Sequence, residues 1–280
     1  MGRIIRKEVL GSNIKKMEVE APLISQKAQP GQFLVVRVDE KGERIPLTIA
    51  GADPQKGTVT IIFQEAGTST AKLGFLNQGE EIQNVAGPLG NPVKIIKYGV
   101  VCMVVGGVGA AFVYWMAKAF KAAGNYIVTI MGSRSADLLI LEKEMKTVSD
   151  RMLIATDDGS KGKKGFTTDI LSDLLSEKEK IDFVITAGPI PMMKKVSEIT
   201  SLAGIKTVAS LNPIMVDGTG MCGGCRVSIN GQTRFACVDG PDFDAHGVDF
   251  DELLRRTSLY GKEERISYDH VCRLGLKRQK

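Results

Sequence analysis

The stretch G-V-V-C-M-V-V-G-G-V-G-A-A-F-V-Y-W-M-A-K-A-F, Gly99 to Phe120, reads as an apolar strand, a glycine turn and the opening of a helix. Further apolar runs follow at Y-I-V-T-I-M from Tyr126, M-L-I-A-T from Met152 and D-F-V-I-T-A-G from Asp182. Helical stretches lie between them, A-D-L-L-I-L-E-K-E-M-K from Ala136 and T-T-D-I-L-S-D-L-L from Thr167. Strands alternating with helices make a doubly wound parallel sheet, so an α/β nucleotide-binding domain is expected over 98–210.

Upstream, residues 1–97 are β-rich. Short segments such as Q-F-L-V-V-R-V and T-V-T-I-I-F-Q are separated by P-G, D-E-K-G and A-D-P-Q-K-G turns. Evenly spaced strands with turn signals predict a small antiparallel β-barrel. One helix should interrupt it from Thr68 or Ser69. Downstream come a cysteine loop (211–245) and a C-terminal segment (246–280) holding a helix, F-D-E-L-L-R-R-T-S-L-Y, and then a polar end.

At 280 residues the chain can hold two cored domains. It has no apolar run long enough for a membrane span, and its charged N-terminus lacks a signal-peptide core, so a cytoplasmic protein is expected. A net charge of +5 spread along the chain argues for a solvated surface rather than nucleic-acid binding. Cysteines clustered in such a chain point to metal or redox chemistry rather than to disulfides. Cys102 reads as core, Cys272 has no assigned role, and His246 and His270 read as packing or surface residues.

Several motifs could hold a nucleotide. Gly106, Gly107 and Gly109 form a turn at a helix start, where free N–H groups and the dipole favour a phosphate; tight packing alone would also explain them. Gly188 with Pro189, and Arg134 in G-S-R-S, end strands of an open sheet, where ligands bind. Gly188 would let a nicotinamide approach, and Arg134 would reach a ribose or phosphate; plain loop chemistry is the alternative. In the barrel, R-I-P-L-T-I offers Arg44 to an anion, Thr48 as a hydrogen-bond donor, and Pro46 and Leu47 between them. This segment is expected to end one strand and begin the next. G-T-S-T, Gly67, Thr68, Ser69 and Thr70, suits either an N-cap or a pyrophosphate.

The loop M-V-D-G-T-G-M-C-G-G-C-R-V-S-I-N-G-Q-T-R-F-A-C, from Met215, has the spacing Asp217-x4-Cys222-x2-Cys225-x11-Cys237. With a cysteine in place of Asp217, the first three positions would match a plant-type iron–sulfur loop. A [2Fe-2S] cluster is the reading adopted. Zinc held by the same four residues, structural or catalytic thiols, and Asp217 as a simple turn residue remain open on spacing alone.

Together these motifs resemble the ferredoxin-reductase-type electron-transfer flavoproteins. R-I-P-L-T-I resembles that family's flavin motif, G-T-S-T its pyrophosphate-binding helix start, and G-G-V-G and A-G-P-I-P-M its pyridine-nucleotide loops. The C-terminal loop narrows the resemblance to the branch containing the dihydroorotate dehydrogenase electron-transfer subunit, whose loop carries four cysteines. An Asp with three Cys, followed by C-V-D-G-P-D-F-D-A-H, is similar to the small subunits of NADH-dependent reduced ferredoxin:NADP+ oxidoreductases, also called sulfide dehydrogenase beta subunits.

The resemblance implies FAD, NAD(H) and a [2Fe-2S] cluster in this chain. It also implies a larger partner subunit with a second flavin and [4Fe-4S] clusters, and electron bifurcation that involves ferredoxin through the complex. The expected ligands are Asp217, Cys222, Cys225 and Cys237. No side chain is expected to act as an acid or base, since the cofactors carry the chemistry. The alternatives are a dihydroorotate or sulfide dehydrogenase partner, or a zinc-stabilised nucleotide-binding module.

Overall fold

The computed structural model describes residues 2–11 and 13–278, with side chains described through His270. Cys272 and the basic end of the chain lie outside the described side chains. No helix among the described residues is long and apolar enough to cross a membrane.

The N-terminal strands form one antiparallel sheet. Its order is Glu81–Ile82, Gly2–Gly11, Ile14–Glu20, Thr58–Gln64, Arg44–Asp53, Phe33–Arg37 and Asn84–Leu89. The two edge strands are separated in sequence by Gln83 alone, so the sheet must curl until its edges nearly meet. This is the expected barrel, with Ile4, Met17, Leu34, Val36, Ile49, Ile61 and Leu73 filling its interior. The R-I-P-L-T-I segment corrects one expectation. It lies within the single strand Arg44–Asp53 rather than at a junction of two, and an irregularity between Ile49 and Gly51 absorbs the bend.

The second sheet is parallel, in the order Lys163–Lys164, Arg151–Thr156, Tyr126–Ser133, Val100–Gly106, Phe183–Ala187 and Thr207–Ser210. Its first long strand, Val100–Gly106, lies in the middle, and the chain winds outward on both sides. The winding direction reverses between Val100–Gly106 and Phe183–Ala187, where a crevice opens at the carboxyl ends. Strand Asp242–Asp244, which follows the cysteine loop, pairs antiparallel with Thr207–Ser210 and closes that edge. Helix Gly109–Ala122 packs on the sheet through Val113, Met116, Ala117 and Phe120, all fully buried. A β-carbon at Gly109 would come within 2.2 Å of the Ala187 carbonyl, so only glycine allows this helix start to approach the neighbouring strand.

Two helical expectations change. The run from Ala136 is a short 3-10 turn, Ala136–Leu138, then a break at Leu141 (φ 56°), and only then the helix Glu142–Val148. Ile140 and Leu141 turn inward against the core, and that burial outweighs a continuous helix. The tail beyond Phe250–Thr257 is not simply a polar end. It forms a second helix, Gly261–Arg278, which packs on Thr68–Phe75.

Candidate functional site

Helix Thr68–Phe75 starts at the barrel rim. Its ladder begins with Ala71 N–H donating to the Gly67 carbonyl, so the N–H groups before it are available to an anion. Thr70 Oγ1 accepts from Gly67 N–H at 3.0 Å and donates to the Gly67 carbonyl at 2.9 Å, locking the turn. The three hydroxyl residues thus occupy the first helical turn, and Gly67 is the N-cap.

Two adjoining pockets lie beside this helix start and share Pro46, Ala66, Thr70, Pro213 and Met215 in their lining. The apolar end of this cavity pair, about 310 Å³, is lined by Pro46, Leu47, Thr48, Phe63, Phe112 and Leu211. The polar end, about 940 Å³, holds Arg44, Glu43 and Gly67 to Thr70, with Ser69 Oγ donating to the Glu43 carboxylate at 3.1 Å. The structure therefore brings the two barrel motifs to adjoining spaces, an apolar slot and a polar pocket with a cation and a helix N-terminus. That pairing of polarities suits a flavin dinucleotide, and the residues fit it. Ion pairs among the described residues do not engage Arg44, so its guanidinium is free for phosphate.

Gly106 and Gly188 meet across the crevice of the parallel sheet. A β-carbon on Gly188 would lie 3.0 Å from the Gly106 nitrogen. Pro189 is the N-cap of helix Ile190–Leu202. Val108, within the glycine turn, and Phe112, in the helix that follows it, line the apolar end of the cavity. The crevice therefore opens beside the flavin slot, as hydride transfer requires. Arg134 is exposed after strand Tyr126–Ser133, and its carbonyl accepts from Asp158 N–H at 3.2 Å.

The cysteine loop packs on the outer wall of the barrel. Gly218 has φ 77°, and a β-carbon there would come within 2.9 Å of Val35 and 3.1 Å of Leu89. The four expected ligands fall into two pairs. Asp217 accepts from Thr219 N–H at 2.8 Å and from Cys222 N–H at 2.9 Å. The Cys225 and Cys237 sulfurs lie 3.2 Å apart and are buried, while Cys222 is exposed. Among the described residues no three of these groups converge on one point as a mononuclear metal site would require. Each pair could supply the ligands of one iron of a two-iron cluster.

The backbone N–H of Thr219, and then that of Cys222, hold the Asp217 carboxyl below the usual range, which favours its ionised form. Burial, and then the neighbouring Cys225 thiol, push Cys237 up to about 12, so metal binding there must displace a proton. Arg256, on helix Phe250–Thr257, donates to the Gly224 carbonyl at 3.2 Å and ties the loop to the C-terminal segment. His246 sits 3.1 Å from Thr200 Oγ1, a packing role.

Sequence reasoning missed Phe63, Phe112 and Leu211 at the flavin slot, because each reads as ordinary core. It also missed Asp242. This carboxyl is buried between the barrel and the parallel sheet with both oxygens lacking hydrogen bonds, in a segment that gives no sign of burial.

The fold and the site define an electron-transfer oxidoreductase subunit of the ferredoxin-reductase type, with FAD, a [2Fe-2S] cluster and NAD(H) as its cofactors. Residues 212–249 match the iron–sulfur cluster binding domain of dihydroorotate dehydrogenase B, and residues 103–198 match the oxidoreductase NAD-binding domain. The chain belongs to the family of dihydroorotate dehydrogenase B-type electron-transfer subunits. It is 46% identical to a dihydroorotate dehydrogenase B (NAD(+)) electron transfer subunit homolog of Thermotoga maritima, over 98% of this chain and 96% of that one. It is 33% identical to the dihydroorotate dehydrogenase B (NAD(+)) electron transfer subunit of Shouchella clausii, over 86% and 94%. Among solved structures, a chain from the NADH-dependent reduced ferredoxin-NADP oxidoreductase superposes with a TM-score of 0.91. The two share 45% identity, covering 96% of this chain and 97% of that one.

Proposed function

We propose that this chain is the small subunit of an electron-bifurcating NADH-dependent reduced ferredoxin:NADP+ oxidoreductase, working with a larger flavin- and [4Fe-4S]-bearing subunit. One observation carries the proposal. Met215 lines the flavin cavity, and Asp217, two residues on, opens the cluster loop, which rests on the barrel wall at Val35 and Leu89. Flavin slot, nucleotide crevice and cluster loop are therefore contiguous. The 45% identity across nearly the whole chain to a subunit of such a complex supports the bifurcating assignment.

Bound here, FAD converts between hydride transfer with nicotinamide and single-electron transfer with the cluster. The residues of this chain bind and orient. Arg44 and the N-terminus of helix Thr68–Phe75 hold the flavin phosphates. Pro46, Leu47 and Phe112 enclose the isoalloxazine and keep water out, and Thr48 offers it a hydrogen bond. Gly106, Gly107 and Gly109 leave the crevice clear for the nucleotide, Gly188 and Pro189 admit the nicotinamide, and Arg134 reaches its ribose or phosphate. Asp217 with Cys222 would hold one iron, and Cys225 with Cys237 the other.

The test is anaerobic purification with the native partner, followed by flavin and iron analysis and turnover with NADPH. Coupled reduction of ferredoxin and NAD+ is expected. Reduction of NAD+ by dihydroorotate, without ferredoxin, would assign the chain to the dihydroorotate branch instead. Zinc without flavin or iron would overturn the electron-transfer reading altogether.

A further inference from the structure

Helix Gly261–Arg278 has no part in the electron path described above, yet it is fixed to the flavin barrel. Thr68 Oγ1 donates to Ser267 Oγ at 2.8 Å, and the Tyr268 hydroxyl donates to the Glu65 carbonyl at 3.1 Å. Both bonds join the chain end to the start of helix Thr68–Phe75, about two hundred residues earlier. As a result Tyr260, Glu263, Glu264 and Ser267 help to line the polar end of the cavity, which Glu43, Arg44 and Gly67 to Thr70 also line.

The polarity of the cavity fixes what this wall meets. The isoalloxazine belongs in the apolar end beside Leu47 and Phe112, and the phosphates belong at the helix start. A ligand that continues past the phosphates within this cavity has the C-terminal helix among the surfaces it can lie against. FAD continues there with a ribose and an adenine, whereas FMN stops at its single phosphate. Two adjacent carboxylates are a poor lining for more phosphate, since like charges repel. They are a good lining for a ribose, whose vicinal hydroxyls donate to carboxylate oxygens, as in the dinucleotide folds that place an acidic side chain there. Tyr260 adds an aromatic ring with 57% of its surface exposed at the same rim, suited to lying against a purine.

We propose that the C-terminal helix is the adenosine-recognition element of this subunit. Glu263 and Glu264 accept hydrogen bonds from the ribose hydroxyls of FAD, and Tyr260 packs against the adenine. Selectivity for FAD over FMN then comes from a wall outside the flavin barrel. The inference rests on the assignment of this cavity to the flavin.

The test uses the full chain in its complex, stripped of flavin, with FAD and FMN each titrated by fluorescence quenching. The Glu263→Gln/Glu264→Gln double variant and Tyr260→Ala should each lose tenfold or more in FAD affinity and keep the wild-type affinity for FMN. Hydrogen exchange should show residues 261–270 protected by FAD and not by FMN. Unchanged FAD affinity in both variants, or equal protection by the two flavins, would overturn the proposal. Arg44→Ala separates the two levels. If it weakens both flavins while the helix variants weaken neither, only the adenosine role falls. If it weakens neither flavin, the cavity is not the flavin site, and this inference falls with that assignment.

Discussion

The Asp217 carboxylate accepts a hydrogen bond from the Cys222 amide at 2.9 Å, joining the odd member of the proposed ligand set to its neighbour. A carboxylate held by backbone N–H groups is fixed in place and ionised, so it can serve where a thiolate would be expected. Its harder oxygen should set the properties of the cluster. Asp217→Ala is therefore expected to lose cluster iron, and Asp217→Cys to keep it with a changed midpoint potential. Iron content and electron paramagnetic resonance check both. Wild-type iron content and spectrum in the Ala variant would remove Asp217 from the ligand set.

Arg44 lines the same polar pocket as the start of helix Thr68–Phe75, where the flavin phosphates are proposed to lie. A charge-assisted hydrogen bond contributes roughly 1.5–3 kcal/mol, so Arg44→Ala should weaken FAD binding by roughly ten- to a hundredfold. Circular dichroism should show the fold retained. Undiminished affinity on fluorescence titration would place the phosphates elsewhere.

Burial raises the Asp242 carboxyl to about 7 from 3.8, and Ser210 alongside offsets this slightly without reaching hydrogen-bond geometry. Between these values the folded protein holds a proton that the unfolded chain has released, so stability falls as pH rises from about 4 to about 7 and then levels off. The full span is roughly 4 kcal/mol. Asp242→Asn should flatten this dependence and melt higher than wild type at pH 8. Parallel melting-temperature profiles for the two proteins would refute the assignment.

The close approach of Gly109 to the Ala187 carbonyl gives a steric prediction. Gly109→Ala must push helix Gly109–Ala122 away from the strand, costing about 1–3 kcal/mol. The shift moves the glycine turn at the crevice, and with it Val108 and Phe112 in the adjoining apolar slot, so the KM for NADH should rise along with the loss of melting temperature. A stable variant with unchanged KM would show that the turn has room.

Much of the architecture was legible because the patterning is local. The apolar run at Val100–Gly106 and the glycines after it predict a strand, turn and helix without reference to the rest of the chain. Thr68–Phe75 was legible for the same reason, from three hydroxyl residues ahead of a helical stretch. The run from Ala136 misled because its apolar residues suit a helix as well as an inward turn. Only the core against Met145 and Val148 selects the turn at Leu141. The R-I-P-L-T-I segment misled because its proline reads as a break, whereas the barrel takes Pro46 into a strand opposite Val35.

By itself the sequence determined the two sheets, the order of their motifs and the identity of the four candidate ligands, because periodicity and spacing are properties of neighbouring residues. Tertiary structure alone decided three other things: the contacts of Asp217 with Cys222 and of Cys225 with Cys237 among those candidates, the burial of Asp242, and the placing of Glu263 and Glu264 in the same cavity as Arg44. Each of these depends on where distant segments come to rest. That placement is set by the packing of barrel, sheet and C-terminal helix together, which no local spacing encodes.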